Sequence, residues 1–470
     1  MNEADLETID FLCLYRGNPA HAAAIRSWLD AASKRRLVLL DEDVLSLEKM
    51  QEQFLSHLQV KSYLIDSPLQ IEPLAKKIAW QAVFLKAAFI TEEEGALPEF
   101  RAVFEQTHLA ANLLLSDAAD YGISLVHGRY MGRARRGLGL AGTFAKVPAI
   151  IIGAGPSLAK NGHLLEQFRD QALLFCGGSA LNAVPMEPHF AASIDRQAPY
   201  QDFKRYPFWE TPFCFQSRMN PDNMSLVHGE ALLFPDSHYA FQNWIEGEDG
   251  TFDGGWTVGN FLTSIAVLMG CDPIVFVGMD LCYEGKCKYA HDRKELSSDG
   301  LIEVFAKNGT RVWTQKDWLM ARRWTEELIL HCPDRTFIDA REGGLDFRAP
   351  VQLAKLSDLI FEKREDLHGQ IHNAIQLLPF IEKSLSRSVE WRASLNRCRE
   401  LIGMSLFHGQ EMPMGEIVYS TLLEPLWHVW RPIFERELDL DLQPITLEDK
   451  LRIHQLLFFQ RVIQEHCNAI

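Results

Sequence analysis

Pro148 to Arg196, PAIIIGAGPSLAKNGHLLEQFRDQALLFCGGSALNAVPMEPHFAASIDR, decides the fold. It reads as a strand, a glycine turn, a helix, a second strand, another glycine turn, and a third strand ending in Asp195. Ala149 to Ile152 is an apolar run suited to a strand buried on both faces, as in parallel sheets. Gly153 and Gly155 lack a Cβ, so backbone can approach a partner closely there. Pro156 has its φ preset for a first helical turn, and Ser157 adds a hydroxyl at the helix start. The turn is neither GxGxxG nor a P-loop, so it is open at this point to two readings: a phosphate cradle or a tight strand–helix turn. Strands of this kind present their ligands at their carboxyl ends.

A second block has the same outline. Gly254-Gly255-Trp256-Thr257-Val258-Gly259-Asn260 precedes the helical pattern FLTSIAVLMG. Cys271 to Gly278, CDPIVFVG, is a buried strand with Met279 and Asp280 at its end. Farther on, RTFID (Arg335–Asp339) is another strand, followed by Arg341, Glu342, Gly343 and Gly344. Glycine pairs after three strands argue for a site assembled from several loops on one sheet edge.

GAGPSL, the GGSAL turn, SID, GGWTVGN, FVGMDL, YAHD and REGG stand here in an order and spacing that resembles the DUF115 family. That family includes the motility accessory factor (Maf) glycosyltransferases and the MptE-type 6-hydroxymethylpterin diphosphokinases. The resemblance runs over about residues 120 to 350, and the layout is also similar to sialyltransferases that use CMP-sialic acid. It implies an α/β protein: a central Rossmann-like, sialyltransferase-like open sheet domain at 121–349. A small Rossmann-like α/β domain at 1–120 precedes it, and an α-helical bundle at 350–470 follows.

The site implied by the resemblance uses Gly153, Gly155, Pro156, Ser157, Gly178, Ser179 and Asp195 for nucleotide and phosphate. Gly255, Thr257, Asn260, Gly343 and Gly344 line the donor site, and His291, Tyr289 and Asp280 are the candidate catalytic residues. The loop after Asp280, LCYEGKCKYAHD, supplies titratable groups suited to proton transfer. His291 is the candidate base, Tyr289 a donor to a departing phosphate, and Lys286 and Lys288 offset its charge. The sialyltransferases place their base later, where this chain has VWTQKDWLMARRW with Thr314 and no histidine.

The expected function is transfer of a sugar, a CMP-activated nonulosonic acid, to Ser or Thr of a flagellin-like or other surface protein. The alternatives are an ATP- and Mg²⁺-dependent diphosphokinase, and a non-catalytic nucleotide-binding protein. No tightly bound cofactor is expected; the nucleotide-sugar is a substrate, and Mg²⁺ is compatible with either enzyme reading.

Composition narrows the partners. With 47 Lys and Arg against 63 Asp and Glu, net charge is −16, which argues against general nucleic-acid binding. Arg129, Arg133, Arg135 and Arg136 form the dense basic stretch, read as a solvated loop or as a contact to an anionic donor. The nine cysteines are scattered without CxxC spacing, which fits reduced thiols in a cytoplasmic protein. No signal-peptide pattern opens the sequence, and no apolar run approaches the ~20 residues that span a bilayer. At the amino end, FLCLY, the Arg16–Pro19 turn, a helical pattern and Arg36–Leu40 outline a βαβ unit. Its turn holds a single glycine crowded by Arg16, so it is expected to be a degenerate, non-binding copy. After Ala349 the apolar residues recur at helical spacing, with Trp427, Trp430, Phe434, Phe458 and Phe459 as core.

Overall fold

The computed structural model describes residues 6–91, 93, 95–126, 134–194, 210–216, 219, 227–235, 252–284, 301–381, 385–408, 412–438 and 446–469. Two compact units emerge: Met1–Ala119 with Ser394–Asn468, and Asp120–Ala393 with Ala469–Ile470. The boundaries expected at 120 and 349 stand as a proposal about autonomous folding. By its contacts, the chain from Ser394 onward groups with the amino-terminal sheet.

The first unit holds four parallel strands: β1 (Phe11–Tyr15), β2 (Arg36–Asp41), β3 (Val60–Leu64) and β4 (Ala87–Thr91), in the order β3-β2-β1-β4. Helices α1 (Ala22–Asp30), α2 (Val44–Glu52), α3 (Ile71–Gln81) and α4 (Pro98–Val126) follow the strands in turn. Alternate residues of each strand feed opposite faces: Phe11, Cys13 and Tyr15 pack with Ile78 and Phe104, Leu12 and Leu14 with Ile25 and Trp28. The turn after β1 is closed by its own groups. Arg16 takes a left-handed φ of 49° and pairs with Glu42 at 2.9 Å, while Asp41 accepts the backbone N–H groups of Glu42 and Asp43. These bonds suit a turn that serves the fold.

The second unit is built on nine strands: β5 (Arg135–Arg136), β6 (Ala149–Ile152), β7 (Leu173–Gly177), β8 (Phe190–Ser193), β9 (Phe213–Phe215), β10 (Ala231–Leu233), β11 (Ile274–Val277), β14 (Phe337–Asp339) and β15 (Gln352–Leu353). Their order is β15-β14-β11-β6-β7-β8-β9-β10-β5, and every pairing is parallel. The chain runs outward from β6 through β10, then returns to place β11 on the other side of β6. That reversal makes the β6/β11 boundary the topological switch point, where crevices open outside the carboxyl ends. The AIII and IVFV runs of β6 and β11 are buried on both faces, as a central parallel strand requires.

Helices α5 (Leu158–Asn161), α6 (Val258–Leu268), α7 (Lys316–His331) and α8 (Leu367–Gln376) belong to this unit. A hairpin unforeseen in the sequence, β12 (Ile302–Phe305) with β13 (Arg311–Thr314), precedes α7. Helices α9 (Leu385–His408), α10 (Glu424–Leu438) and α11 (Leu447–Ala469) complete the chain. Trp427 packs on Phe434, Phe458 and Phe459 at centroid separations of 5.2, 5.8 and 6.3 Å; Trp427 and Phe459 are buried core, whereas Trp430, Phe434 and Phe458 are half-buried. The short edge strand β15 was not expected in a helical region. Among the described residues, no helix is long and apolar enough to cross a membrane.

Arg135 corrects both readings of the basic stretch. It is neither solvated nor turned to a ligand: only 6% is exposed. It bonds Glu230, the Gln376 side chain and the carbonyls of Gln376 and Leu378, with Phe380 under its guanidinium at 4.1 Å. Arg129 and Arg133 lie outside the described residues.

One strand contact makes stability depend on acid. Buried His189 accepts the Leu174 N–H at its Nδ1 at 3.0 Å, so the fold needs this ring neutral. Burial, reinforced by Arg169 and His368, pushes its pKa down to about 4. Because the folded value lies below the unfolded one of about 6.5, its stabilising contribution is complete above pH 6.5 and is lost as pH falls toward 4. The expected loss is up to about 3 kcal/mol. Urea unfolding at pH 7, 5.5 and 4.5 should show this slope in the native protein and a flatter one in His189→Asn. Equal slopes would exclude the assignment.

Candidate functional site

The loop after β6 and the loop after β11 interlock at the switch point. Gly153 N–H donates to the Val277 carbonyl at 2.8 Å, and Gly155 N–H to the Gly278 carbonyl at 2.7 Å. A Cβ on Gly153 would stand 2.5 Å from the Gly278 carbonyl oxygen, and one on Gly155 would stand 2.7 Å from the Asp280 side chain. Gly278 has φ +65° and abuts the Gly153 carbonyl; Gly344 has φ +91° and abuts the Asp280 backbone. Close packing of loops on loops therefore accounts for these four glycines. Gly343 differs: a Cβ there would make only ordinary contact with Ser157, 3.4 Å away.

Asp280 is the internal partner of the first turn. Its carboxylate accepts the Ser157 N–H at 2.6 Å and the Ser157 hydroxyl at 2.5 Å, and the residue is 3% exposed. Burial pushes its pKa above the ordinary carboxylate range, against the pull of the two Ser157 bonds and the Arg341 charge. Both oxygens of Asp280, the candidate catalytic carboxylate, are engaged by Ser157, which ties the two loops together. Pro156 is buried beside it.

Sequence reading named Arg341 but gave it no role. It is a hub, with donors to both oxygens of Asp339 at 2.8 Å and to the carbonyls of Met279 and Leu345 at 2.8 and 2.9 Å. Its guanidinium lies 3.9 Å from the centre of the Phe347 ring, and neither side chain of the Asp339 pair is exposed to solvent. Lys307, from the β12–β13 turn, adds a charge 3.4 Å from Asp339 and donates to the Arg341 carbonyl. Burial works to raise Asp339, but the Arg341 bonds and both cations outweigh it and hold the carboxyl below its usual range. The signal in sequence was the Asp-x-Arg spacing at the end of a strand.

The GGWTVGN segment starts α6 at the same edge. Thr257 and Asn260 form a reciprocal capping box. The Asn260 Oδ1 accepts from Trp256 N–H, Thr257 N–H and the Thr257 hydroxyl, and its Nδ2 donates to Ala321 and Thr325 of α7. Asn260 is wholly buried, so it shapes the turn, where a ligand-lining role was expected. Thr257 and Gly255 are half-buried, as are Gly178 and Ser179 at the end of β7. Gly178 has φ +54°, and a Cβ on Gly177 would strike Val258. A Cβ on Gly259 would meet Met279 at 2.9 Å. These contacts bring the ends of β6, β7, β11 and β14 and the start of α6 together on one edge.

Asp195, Tyr289, His291, Lys286 and Lys288 lie outside the described residues. Thr314, at the place where the sialyltransferases carry their base, is buried and donates to the Leu281 carbonyl at 2.7 Å. Among the described residues, no group of three or more His, Cys, Asp or Glu side chains is placed to hold a metal.

Residues 136–286 match the family model described as "6-hydroxymethylpterin diphosphokinase MptE-like". The match takes in the GAGPS, GGSAL and GGWTVGN turns and Asp280; Tyr289, His291, Gly343 and Gly344 lie beyond it. No curated protein matches the sequence. A solved structure, a Maf glycosyltransferase from Magnetospirillum magneticum AMB-1, matches over 97% of this chain and 74% of its own, with 14% identity and a TM-score of 0.52. Over residues 136–286 the chain is therefore similar to the MptE-like family, and its fold is similar to that of the Maf glycosyltransferase.

Proposed function

We propose that this protein is a glycosyltransferase that moves a sugar from a nucleotide donor to a protein hydroxyl. The observation that supports it best is a Maf-like fold along nearly the whole chain. The donor is a CMP-activated nonulosonic acid, and the acceptor is Ser or Thr of a flagellin-like or other surface protein met in the cytoplasm. The nucleotide lies over the carboxyl ends of β6 and β7, against Gly153, Gly155, Gly178, Ser179 and Thr257, with Asp195 at the ribose. The acceptor oxygen attacks the anomeric carbon and gives its proton to His291. The bond from that carbon to the phosphate oxygen breaks, and CMP leaves with the electron pair, assisted by a hydrogen bond from Tyr289.

The name of the matching family favours a second reading, transfer of a diphosphoryl group from ATP with Mg²⁺. A thermal-shift panel with CMP, UDP, GDP and ATP, each with and without Mg²⁺, separates the two. A ligand that binds only the folded protein stabilises it by about 2.7 kcal/mol at a hundred times its Kd. Stabilisation by CMP without metal is the expected result. Stabilisation by ATP alone, and only with Mg²⁺, would replace this reading with the second one.

A further inference from the structure

The α6 turn is gripped from outside by one face of α7. Half-buried Trp324 donates its indole N–H to Asp253 Oδ2 at 2.7 Å, and Asp253 Oδ1 accepts the Gly255 N–H at 2.8 Å. The Asp253 carbonyl also accepts the Ser264 hydroxyl at 2.5 Å, which ties the turn to α6. Gly255 has φ +63°, and a Cβ there would stand 2.9 Å from the Trp324 ring, so the indole lies flush against the turn. Ala321, one turn before Trp324, and Thr325, the residue after it, receive the Asn260 amide.

The amino end of α7 holds a second loop of the same edge. Tyr283 donates to Gln315 at 2.7 Å and packs on Trp318 at a centroid distance of 4.8 Å. Tyr283 belongs to the segment that runs from Asp280 toward Tyr289 and His291. One helix therefore braces both the donor-side turn and the start of the catalytic loop.

We propose that Trp324 and Asp253 are positioning residues for the nucleotide site, fixing the Gly255–Thr257 turn against the end of β7. This rests on the nucleotide-sugar reading above. Asp253 is exposed, so water competes for its carboxylate and the bond to Trp324 contributes about 1 kcal/mol to the fold. Its value lies in preorganisation: a turn held in one shape costs less entropy when ligand binds.

The test uses the full-length protein, Trp324→Phe, Asp253→Asn and the double variant, titrated by calorimetry with CMP, UDP, GDP and ATP. Without ligand, each variant should melt within about 4 °C of the native protein, the shift expected for about 1 kcal/mol. The Kd of the bound nucleotide should rise at least about tenfold in each single variant, with no further rise in the double, because both changes break one clamp. A native protein that binds nucleotide, with variants of unchanged Kd, overturns the inference and leaves the glycosyltransferase reading intact. Affinity losses that merely track melting temperature also overturn it, since they mark a structural pair. A native protein that binds none of the nucleotides defeats the functional reading, and this inference with it.

Discussion

Arg341→Met should destabilise the second unit by about 3–5 kcal/mol, the largest effect expected of any single substitution at this site. The guanidinium is fully buried with Asp339 and also satisfies the Met279 and Leu345 carbonyls. Removing it leaves a buried carboxylate with Lys307 at 3.4 Å and the backbone N–H of residue 341 at 3.0 Å, and two carbonyls without this donor. The loops after β11 and β14 then lose their common pin. Asp339→Leu combined with Arg341→Met should cost less than either change alone, because both fully buried charges leave together and only the partly exposed Lys307 loses its partner. Urea midpoints of the four proteins check this. A single variant within about 1 kcal/mol of the native protein would mean the pair does not hold the site together.

Asp280→Ala should cost about 2–4 kcal/mol and abolish detectable nucleotide binding. The change strands the buried Ser157 N–H and hydroxyl, and an unmet buried donor costs about 1–3 kcal/mol. Asp280→Asn should recover much of the stability. Its oxygen still accepts one Ser157 bond, and the neutral amide escapes the desolvation that dominates the environment of the carboxylate. The two variants separate positioning from chemistry. If the carboxylate only positions Ser157, Asn restores binding along with stability. If Asn is stable and binds nucleotide but shows no sugar transfer, Asp280 acts in the reaction itself. Melting curves, nucleotide titrations and a sugar-transfer assay of both variants decide between these outcomes.

The central sheet was legible because its strands are short apolar runs buried on both faces, bounded by glycine turns. The helix after GGWTVGN was legible because Thr257 and Asn260 announce a capped start. The gathering of loops on one edge was read from the glycine turns after successive strands; the strand order came from the structure. What stayed hidden were partnerships between distant residues. Ser157 and Asp280 are 123 positions apart, and nothing in either segment marks the other as its hydrogen-bond partner. That bond makes Asp280, the candidate catalytic group, a tie between loops as well. The Gly153–Gly155 turn was open to reading as a phosphate cradle and Gly344 as lining the donor site, whereas neighbouring backbone fills the space a Cβ would take at each of them, as it does at Gly278. The β12–β13 hairpin was missed because exposed Glu303, Phe305, Arg311 and Trp313 mix charge with aromatics along one face, which reads as loop. Arg135 was missed because composition sees a basic run and cannot see Glu230 and Gln376 across the fold.

Hydrogen–deuterium exchange of the native protein with and without CMP tests most directly whether this edge is the nucleotide site. The account predicts slowed exchange in peptides covering 153–158, 177–182 and 255–260, with the first sheet, including 15–19, unchanged. Protection confined to 15–19, or none anywhere at saturating CMP, would contradict it.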